Sequence, residues 1–446
     1  MRKGVKNVSE FVIKGEKKLN GEVKISGSKN AALPIIAASL LNSNKVTLYN
    51  VPNIEDVNTT LKILRVLGCK VARKCGKIEL LCDEIKSTEI PKDLMKKSRS
   101  TVIIAGALIG RFKKATFSYP GGCNIGSRPI DLHISAFTDL GINVEENENR
   151  IECNANEIQG NKIYLKFPSV GATENTILAS VLADGQITEI YNAAKEPEIK
   201  DLATFLNKSG ARIYGAGKSK IKIVGVKSLK KVNYRIMPDR IETGTFLCMA
   251  ANTKGKVKLN NTNPLDLIDV LYKLKKTGCK IYFNNNSITL FTNKRLKPIN
   301  LSTEIYPGFP TDLQPIFTAI LCKADGKSKI QENIFENRFG FCDELNKMGA
   351  QIKKCDEKQS NLQANEKAKE KILKDQVKDC IIINGVKELK GTNVYCKDLR
   401  GGASLITAAL GAKGTTVVKN AENVLRGYEN IDKKLQSLGA DIKFVK

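Results

Sequence analysis

The stretch Tyr119 to His133 gathers one thiol (Cys123), one guanidinium (Arg128), one carboxylate (Asp131) and the chain's only histidine (His133) within fifteen positions. Its three glycines and two prolines exclude a regular helix or a central strand. It therefore reads as a loop whose backbone can come close to a ligand. Residue chemistry leaves two readings of Cys123 open. A free cysteine is commonly a small buried hydrophobe, but glycine neighbours offer it little to pack on, and a nearby Arg128 favours a thiolate.

A second set of reactive side chains stands at the starts of apolar helical stretches: Lys29 and Asn30, Arg99, Ser169 and Gly171, Asp239, Arg240 and Glu242, Asp312, and Asp398 and Arg400. Asp239 and Asp312 suit a capping role. Lysine and arginine do not, because they oppose the helix dipole. A cation at a helix start makes sense where an anion sits against it. If these starts converge, Lys29, Arg99, Arg128, Arg400 and Arg426 make a site for a multiply anionic ligand, since guanidinium forks match phosphate and carboxylate. This points to an anionic substrate and leaves the reaction open.

The elements that must position these groups repeat. Leu67-Gly68-Cys69, Leu140-Gly141-Ile142, Ser209-Gly210-Ala211, Thr277-Gly278-Cys279, Met348-Gly349-Ala350 and Leu438-Gly439-Ala440 each follow an amphipathic stretch and precede a short alternating one. The glycine is where a helix stops in the left-handed conformation and turns into a strand. Out of phase with these, 31–41, 101–109, 172–182, 244–251, 312–322 and 403–410 are apolar nearly all round, which predicts helices buried on every side. Strands are expected between, as at 46–50, 187–191, 256–260 and 415–419. The unit is thus buried helix, strand, surface helix, glycine, strand, used six times at intervals of about 70 residues. The last interval is longer because 355–379 is a lysine- and glutamate-rich surface insertion. Six units predict an α/β protein of two domains, three units in each, with helices inside and sheets outside. A solenoid is disfavoured, because the inner helices are too apolar for a stack open on two sides.

Composition sets the bounds. The 446 residues are 41% hydrophobic and 27% charged, which is ordinary for a globular protein. No apolar run is long enough to span a bilayer and no secretory h-region precedes the first unit, so a cytoplasmic protein without membrane contact is expected. The twelve cysteines contain no C-x-x-C spacing and there is one histidine, so reduced core thiols and no metal site are expected. The net charge of +27 raises nucleic-acid binding, but the lysines are dispersed and tryptophan is absent.

Several segments together resemble the UDP-N-acetylglucosamine 1-carboxyvinyltransferase family over essentially the whole chain. They are Ile25 to Pro34, Gly121 to His133, Pro168 to Thr173, Pro238 to Thr245, Phe309 to Asp312, Phe335 to Phe339, Asp398 to Arg400 and Arg426 to Glu429. The resemblance implies the enolpyruvyl transferase fold, an inside-out α/β barrel in each of two domains (29–237, and 1–28 with 238–446) and ligands bound in the cleft between them. It implies transfer of the enolpyruvyl group of phosphoenolpyruvate to the 3-hydroxyl of UDP-N-acetylglucosamine, an early step of peptidoglycan synthesis, without metal or organic cofactor. By the same resemblance Cys123 is the general acid toward the methylene carbon and Asp312 the base on the sugar hydroxyl. Lys29, Arg128 and Arg426 clamp phosphate and carboxylate, with Asp398 and Arg400 beside them. Asn30, Arg99, Pro129, Ile130, Asp131, Leu132, Pro168, Ser169, Val170, Gly171 and Ile334 fall where the family holds the UDP-sugar. The sibling enolpyruvylshikimate-phosphate synthase shares the architecture, and a cysteine in this loop favours the UDP-sugar enzyme and alkylation by fosfomycin. A monomer is expected. His133, Glu242 and Arg338 are left between site and structural roles, the last two as interdomain ion pairs.

Overall fold

The six apolar stretches form helices at Lys29–Ala38, Ile103–Phe112, Val170–Ser180, Arg240–Asn252, Gln314–Leu321 and Leu399–Leu410 in a computed structural model that describes residues 9–74, 76–121, 130–355 and 379–446. Nearly every side chain in them is buried, as all-round apolarity requires. Two start later than their sequence pattern, after short 3₁₀ turns at Arg99–Val102 and Thr311–Leu313. In the second case Pro315 has no N–H for the Thr311 carbonyl, so the first turn tightens.

The surface helices follow, for example Glu55–Leu67, Pro197–Lys208 and Ile268–Lys276. Gly68, Gly141, Gly210, Gly278, Gly349 and Gly439 all stand beyond such helices with φ between 78° and 115°. That left-handed geometry is what the repeat predicted for them.

The chain divides into two compact units, one from residues between 26 and 239, the other from the N-terminal strands to Ile25 together with Arg240–Lys446. Each contains three of the buried helices and three separate sheets, rather than one sheet closed into a continuous barrel among the described residues. Two strands usually flank a buried helix and pair in parallel, as Lys162–Tyr164 and Ile187–Tyr191 do around Val170–Ser180. A surface hairpin then adds antiparallel to the second strand. The first and fourth repeats exchange their leading strands. Asn20–Lys24 precedes the helix Lys29–Ala38 but pairs with Lys256–Asn260, and Val232–Arg235 precedes Arg240–Asn252 but pairs with Val46–Tyr49. The chain therefore passes between units at Ile25 and again at Asp239.

The expectation of reduced thiols is corrected at four positions, where Cys69 is bonded to Cys82 and Cys355 to Cys380. Strand register is the reason. Lys70 faces Leu81 and Lys354 faces Ile381, so the next residue outward on each hairpin is a cysteine opposite a cysteine. The Cα separations of 4.4 and 5.4 Å are those of a non-hydrogen-bonded and a hydrogen-bonded antiparallel pair. The charged insertion lies, apart from its flanking residues, outside the described residues. Among the described residues no helix is long and apolar enough to cross a membrane.

Candidate active site

In the unit of residues 26–239 the buried helices run parallel. Gly106 and Gly110 bring Ile103–Phe112 against Val170–Ser180: a Cβ on Gly106 would lie 2.4 Å from Asn175 Oδ1, and one on Gly110 2.4 Å from the Leu178 carbonyl oxygen. Leu41, just beyond Lys29–Ala38, also meets Gly110, so all three helices finish together. At that end Arg111 Nη1 donates to the carbonyls of Leu40 (2.8 Å) and Cys82 (2.6 Å), and Lys113 Nζ to that of Gly110 (3.0 Å). Cations there oppose the negative ends of the dipoles. The opposite end collects the helix starts, and with them Lys29, Asn30, Arg99, Ser169, Val170 and Gly171.

Lys29 is held from two sides. Its Nζ is 2.9 Å from Asp56 Oδ2, a carboxylate 3% exposed, and its backbone N–H donates to Asp239 Oδ2 at 3.0 Å. Asp239 thus serves the start of a neighbouring helix. Ser28 and Ser169 are the side-chain caps, each accepting from the N–H three residues on at 3.3 Å.

Asn175 links His133 to this frame. Its Oδ1 accepts from the Gly106 N–H (3.2 Å), and its Nδ2 donates to the Val102 carbonyl (3.2 Å) and to His133 Nδ1 (2.8 Å). An amide nitrogen's lone pair is delocalised and cannot accept, so Nδ1 is the acceptor and the ring proton is on Nε2. Burial, then the positive charge of Arg99, lowers the His133 pKa to about 4, which keeps the ring neutral. The ring packs on Gly171, where a Cβ would lie 2.9 Å from Cε1. His133 thus lies beneath the Gly171 turn, tied through Asn175 to two helices. Glu174, one turn further along that helix, was not anticipated. Burial, with Glu198 and Glu196 adding to it, raises its pKa well above the carboxylate range. A charged letter in a helix otherwise free of charge was the available signal.

In the other unit Asp312 lies between two buried guanidinium groups. Arg338 Nη2 donates to Oδ1 at 3.2 Å and Arg400 Nη2 to Oδ2 at 3.0 Å; the arginine side chains are 2% and 4% exposed, the aspartate 29%. Arg338 Nη2 also reaches the Thr311 carbonyl at 3.3 Å. Arg400 lies over the Tyr428 ring, whose hydroxyl meets Thr245 Oγ1 at 2.9 Å. Asp398, expected beside the clamp, caps Leu399–Leu410 by accepting from the N–H groups of Arg400 and Gly401, both at 3.0 Å. Asp312, which suited a cap, lies inside the turn Thr311–Leu313, whose cap position is Pro310, and is bound to arginine. Glu242 pairs with Lys434 and Arg338 with Asp312, each within its own unit.

The remaining candidates are distributed as follows. Ile130 is buried and Asp131 exposed at the start of Asp131–Asp139; Leu132, Pro168, Ile334 and Arg426 are half-buried. Cys123, Arg128 and Pro129 lie outside the described residues. Sequence reasoning missed Glu332, a fully buried carboxylate bonded to the turn that carries Asp312. Its signal was a lone acidic residue ending a strand just before the Phe335 to Phe339 segment.

The sequence profile of EPSP synthase (3-phosphoshikimate 1-carboxyvinyltransferase) matches residues 13–435. UDP-N-acetylglucosamine 1-carboxyvinyltransferase 2 of Caldanaerobacter subterraneus subsp. tengcongensis is 46% identical, covering 98% of this chain and 99% of its own. The proteins of the same name from Carboxydothermus hydrogenoformans and Clostridium tetani are each 44% identical over 98% of this chain, and 100% and 99% of their own. Among solved structures, the enolpyruvyl transferase NikO from Streptomyces tendae superposes with a TM-score of 0.84 at 22% identity, over 98% of this chain and 99% of its own. EPSP synthase from Acinetobacter baumannii gives 0.72 at 18%, over 98% and 100%. These two likenesses bear on the fold.

Proposed function

This chain belongs to the EPSP synthase family and, within it, to the UDP-N-acetylglucosamine 1-carboxyvinyltransferases, and from that premise we propose that it moves the enolpyruvyl group of phosphoenolpyruvate to the 3-hydroxyl of UDP-N-acetylglucosamine, releasing phosphate, in the cytoplasm. The observation that carries the reading is Asp312. It is a carboxylate partly open to solvent, fixed on both oxygens by buried guanidinium groups, at the start of a buried helix.

The reaction is an addition followed by an elimination. Asp312 takes the proton of the sugar hydroxyl as its oxygen bonds to C2 of phosphoenolpyruvate, while Cys123 delivers a proton to the methylene carbon. The tetrahedral intermediate then loses a proton from the new methyl group and expels phosphate, restoring the double bond. Both steps are proton transfers coupled to C–O bond changes, which positioned side chains can supply. Lys29, Arg128 and Arg426 bind phosphate and carboxylate, with Arg400 and the Asp398-capped helix start beside them. Asp56 and Asp239 fix Lys29 in place before substrate arrives, and a preset cation stabilises developing charge without reorganising. Asn30, Arg99, Pro129, Ile130, Asp131, Leu132, Pro168, Ser169, Val170, Gly171 and Ile334 hold the UDP-sugar. The capped helix start at Ser169 is suited to its diphosphate.

The test is phosphate release from phosphoenolpyruvate with UDP-N-acetylglucosamine or shikimate 3-phosphate as acceptor. Release with the UDP-sugar alone is expected. Release with the shikimate compound alone would keep the fold and overturn the substrate.

A further inference from the structure

We propose that Glu332 is a positioning residue for the acceptor-activating base, acting on Asp312 through the hydroxyl of Thr311. The inference rests on Asp312 being that base. Glu332 ends the strand Lys327–Glu332 with no solvent exposure. Its Oε1 accepts from Thr303 Oγ1 (2.9 Å) and from the backbone N–H groups of Ile334 (2.9 Å) and Phe335 (3.2 Å). Its Oε2 accepts from Thr311 Oγ1 at 3.1 Å. Three donors converge on Oε1 and one on Oε2, so both oxygens of the carboxylate are engaged.

The segments it joins are those that fix the base. Thr311 immediately precedes Asp312 in the 3₁₀ turn. Ile334 and Phe335 open the segment that carries Arg338, and Arg338 Nη2 returns to both the Thr311 carbonyl and Asp312 Oδ1. Glu332 thus holds both ends of the Asp312–Arg338 contact. An apolar side chain would fill the same space with less desolvation, but it would leave two hydroxyls and two backbone N–H groups without their acceptor. Burial raises the pKa of Glu332, against these hydrogen bonds and the charge of Arg338. What the arrangement needs is therefore acceptor geometry more than charge. Glutamine preserves it: Oε1 takes the same three donors and Nε2 donates to Thr311 Oγ1. Valine at 311 matches threonine in shape and removes only the link.

A base displaced by about 1 Å loses on the order of 10²-fold in rate. Thr311→Val is expected to lower kcat by roughly 10- to 100-fold, with KM for UDP-N-acetylglucosamine within about threefold and the unfolding midpoint near wild type. Thr311→Ser, which keeps the hydroxyl, and Glu332→Gln are expected to retain most of kcat. Wild-type kcat in Thr311→Val would overturn the proposal. So would a loss that Thr311→Ser fails to rescue, or one that follows a matching fall in thermal stability. Asp312→Asn separates the two levels. If it turns over normally, the assignment of the base has failed; if it is inactive while Thr311→Val is normal, only the role of Glu332 has.

Discussion

Acid should destabilise this protein through one side chain, His133. Its imidazole is buried, accepts from Asn175 on Nδ1 and has a pKa of about 4, against 6.5 for a free histidine. Protonation would place a charge beneath Gly171 and turn the ring nitrogen that accepts from Asn175 Nδ2 into a second donor. The folded-state pKa is depressed, so the unfolded chain binds the extra proton first as pH falls. The stabilisation is complete above pH 6.5 and is lost progressively between 6.5 and 4. Linkage over the interval from pH 7.5 to pH 5 gives a loss of roughly 2 kcal/mol from this residue alone. In a unit of this size that corresponds to about 4–8 °C of unfolding midpoint. Other groups titrate in the same range, so the quantity to measure is a difference. Thermal unfolding of wild type and His133→Phe is followed at both pH values, phenylalanine keeping the ring without the proton site. His133→Phe is expected to be the less stable protein at pH 7.5, having lost the acceptor for Asn175, but to lose less on going to pH 5. Equal acid losses in the two proteins would refute the neutral ring.

Asp312→Ala should cost about 3 kcal/mol, the low end for breaking a buried pair, because a side chain 29% exposed lets water replace part of it. Both the unfolding midpoint and turnover should fall, and an unchanged midpoint would mean that the two arginines do not depend on this carboxylate. Gly106→Val adds side-chain atoms 2.4 Å from Asn175 Oδ1 and 2.8 Å from the Asn175 carbonyl oxygen, the second of which belongs to the backbone and cannot swing away. A destabilisation of about 1–3 kcal/mol or more is expected, seen as a lower denaturation midpoint, and a wild-type midpoint would mean that the two helices are further apart. Fosfomycin in the presence of UDP-N-acetylglucosamine should add once to the protein, at Cys123, by intact mass and peptide mapping. A Cys123→Ala variant that still acquires the adduct would place the reactive thiol elsewhere.

What could be read from the letters alone was whatever a residue's immediate neighbours decide. Gly68 and its five counterparts announce helix ends because only a residue without Cβ takes φ near 78–115° at little cost. The six buried helices follow from apolarity on every face. The strand exchange could not be read. Asn20–Lys24 would satisfy its backbone equally well beside Val46–Tyr49, and its pairing with Lys256–Asn260 is decided by packing more than 200 residues away. The cysteine pairs were hidden for the same reason, since Cys69 meets Cys82 only once the hairpin register is known. The chemical residues divide along a related line. Lys29, Arg99 and Arg400 stand at helix starts against the dipole, so a local rule is broken and attention falls on them. Asp312 breaks no rule, because an aspartate before a helix is what capping would select, and only its position between Arg338 and Arg400 separates a bound carboxylate from a cap. Asp398 is the converse: it looks the same in sequence and is the cap. Glu332 lies between these cases: it shares the inward face of its strand with Ser328 and Ile330, so its burial was signalled locally, while its partners Thr303 and Thr311 were not. Residues that violate a local preference can be found from sequence; those that satisfy one while serving another purpose are separated only by the partners the fold brings to them.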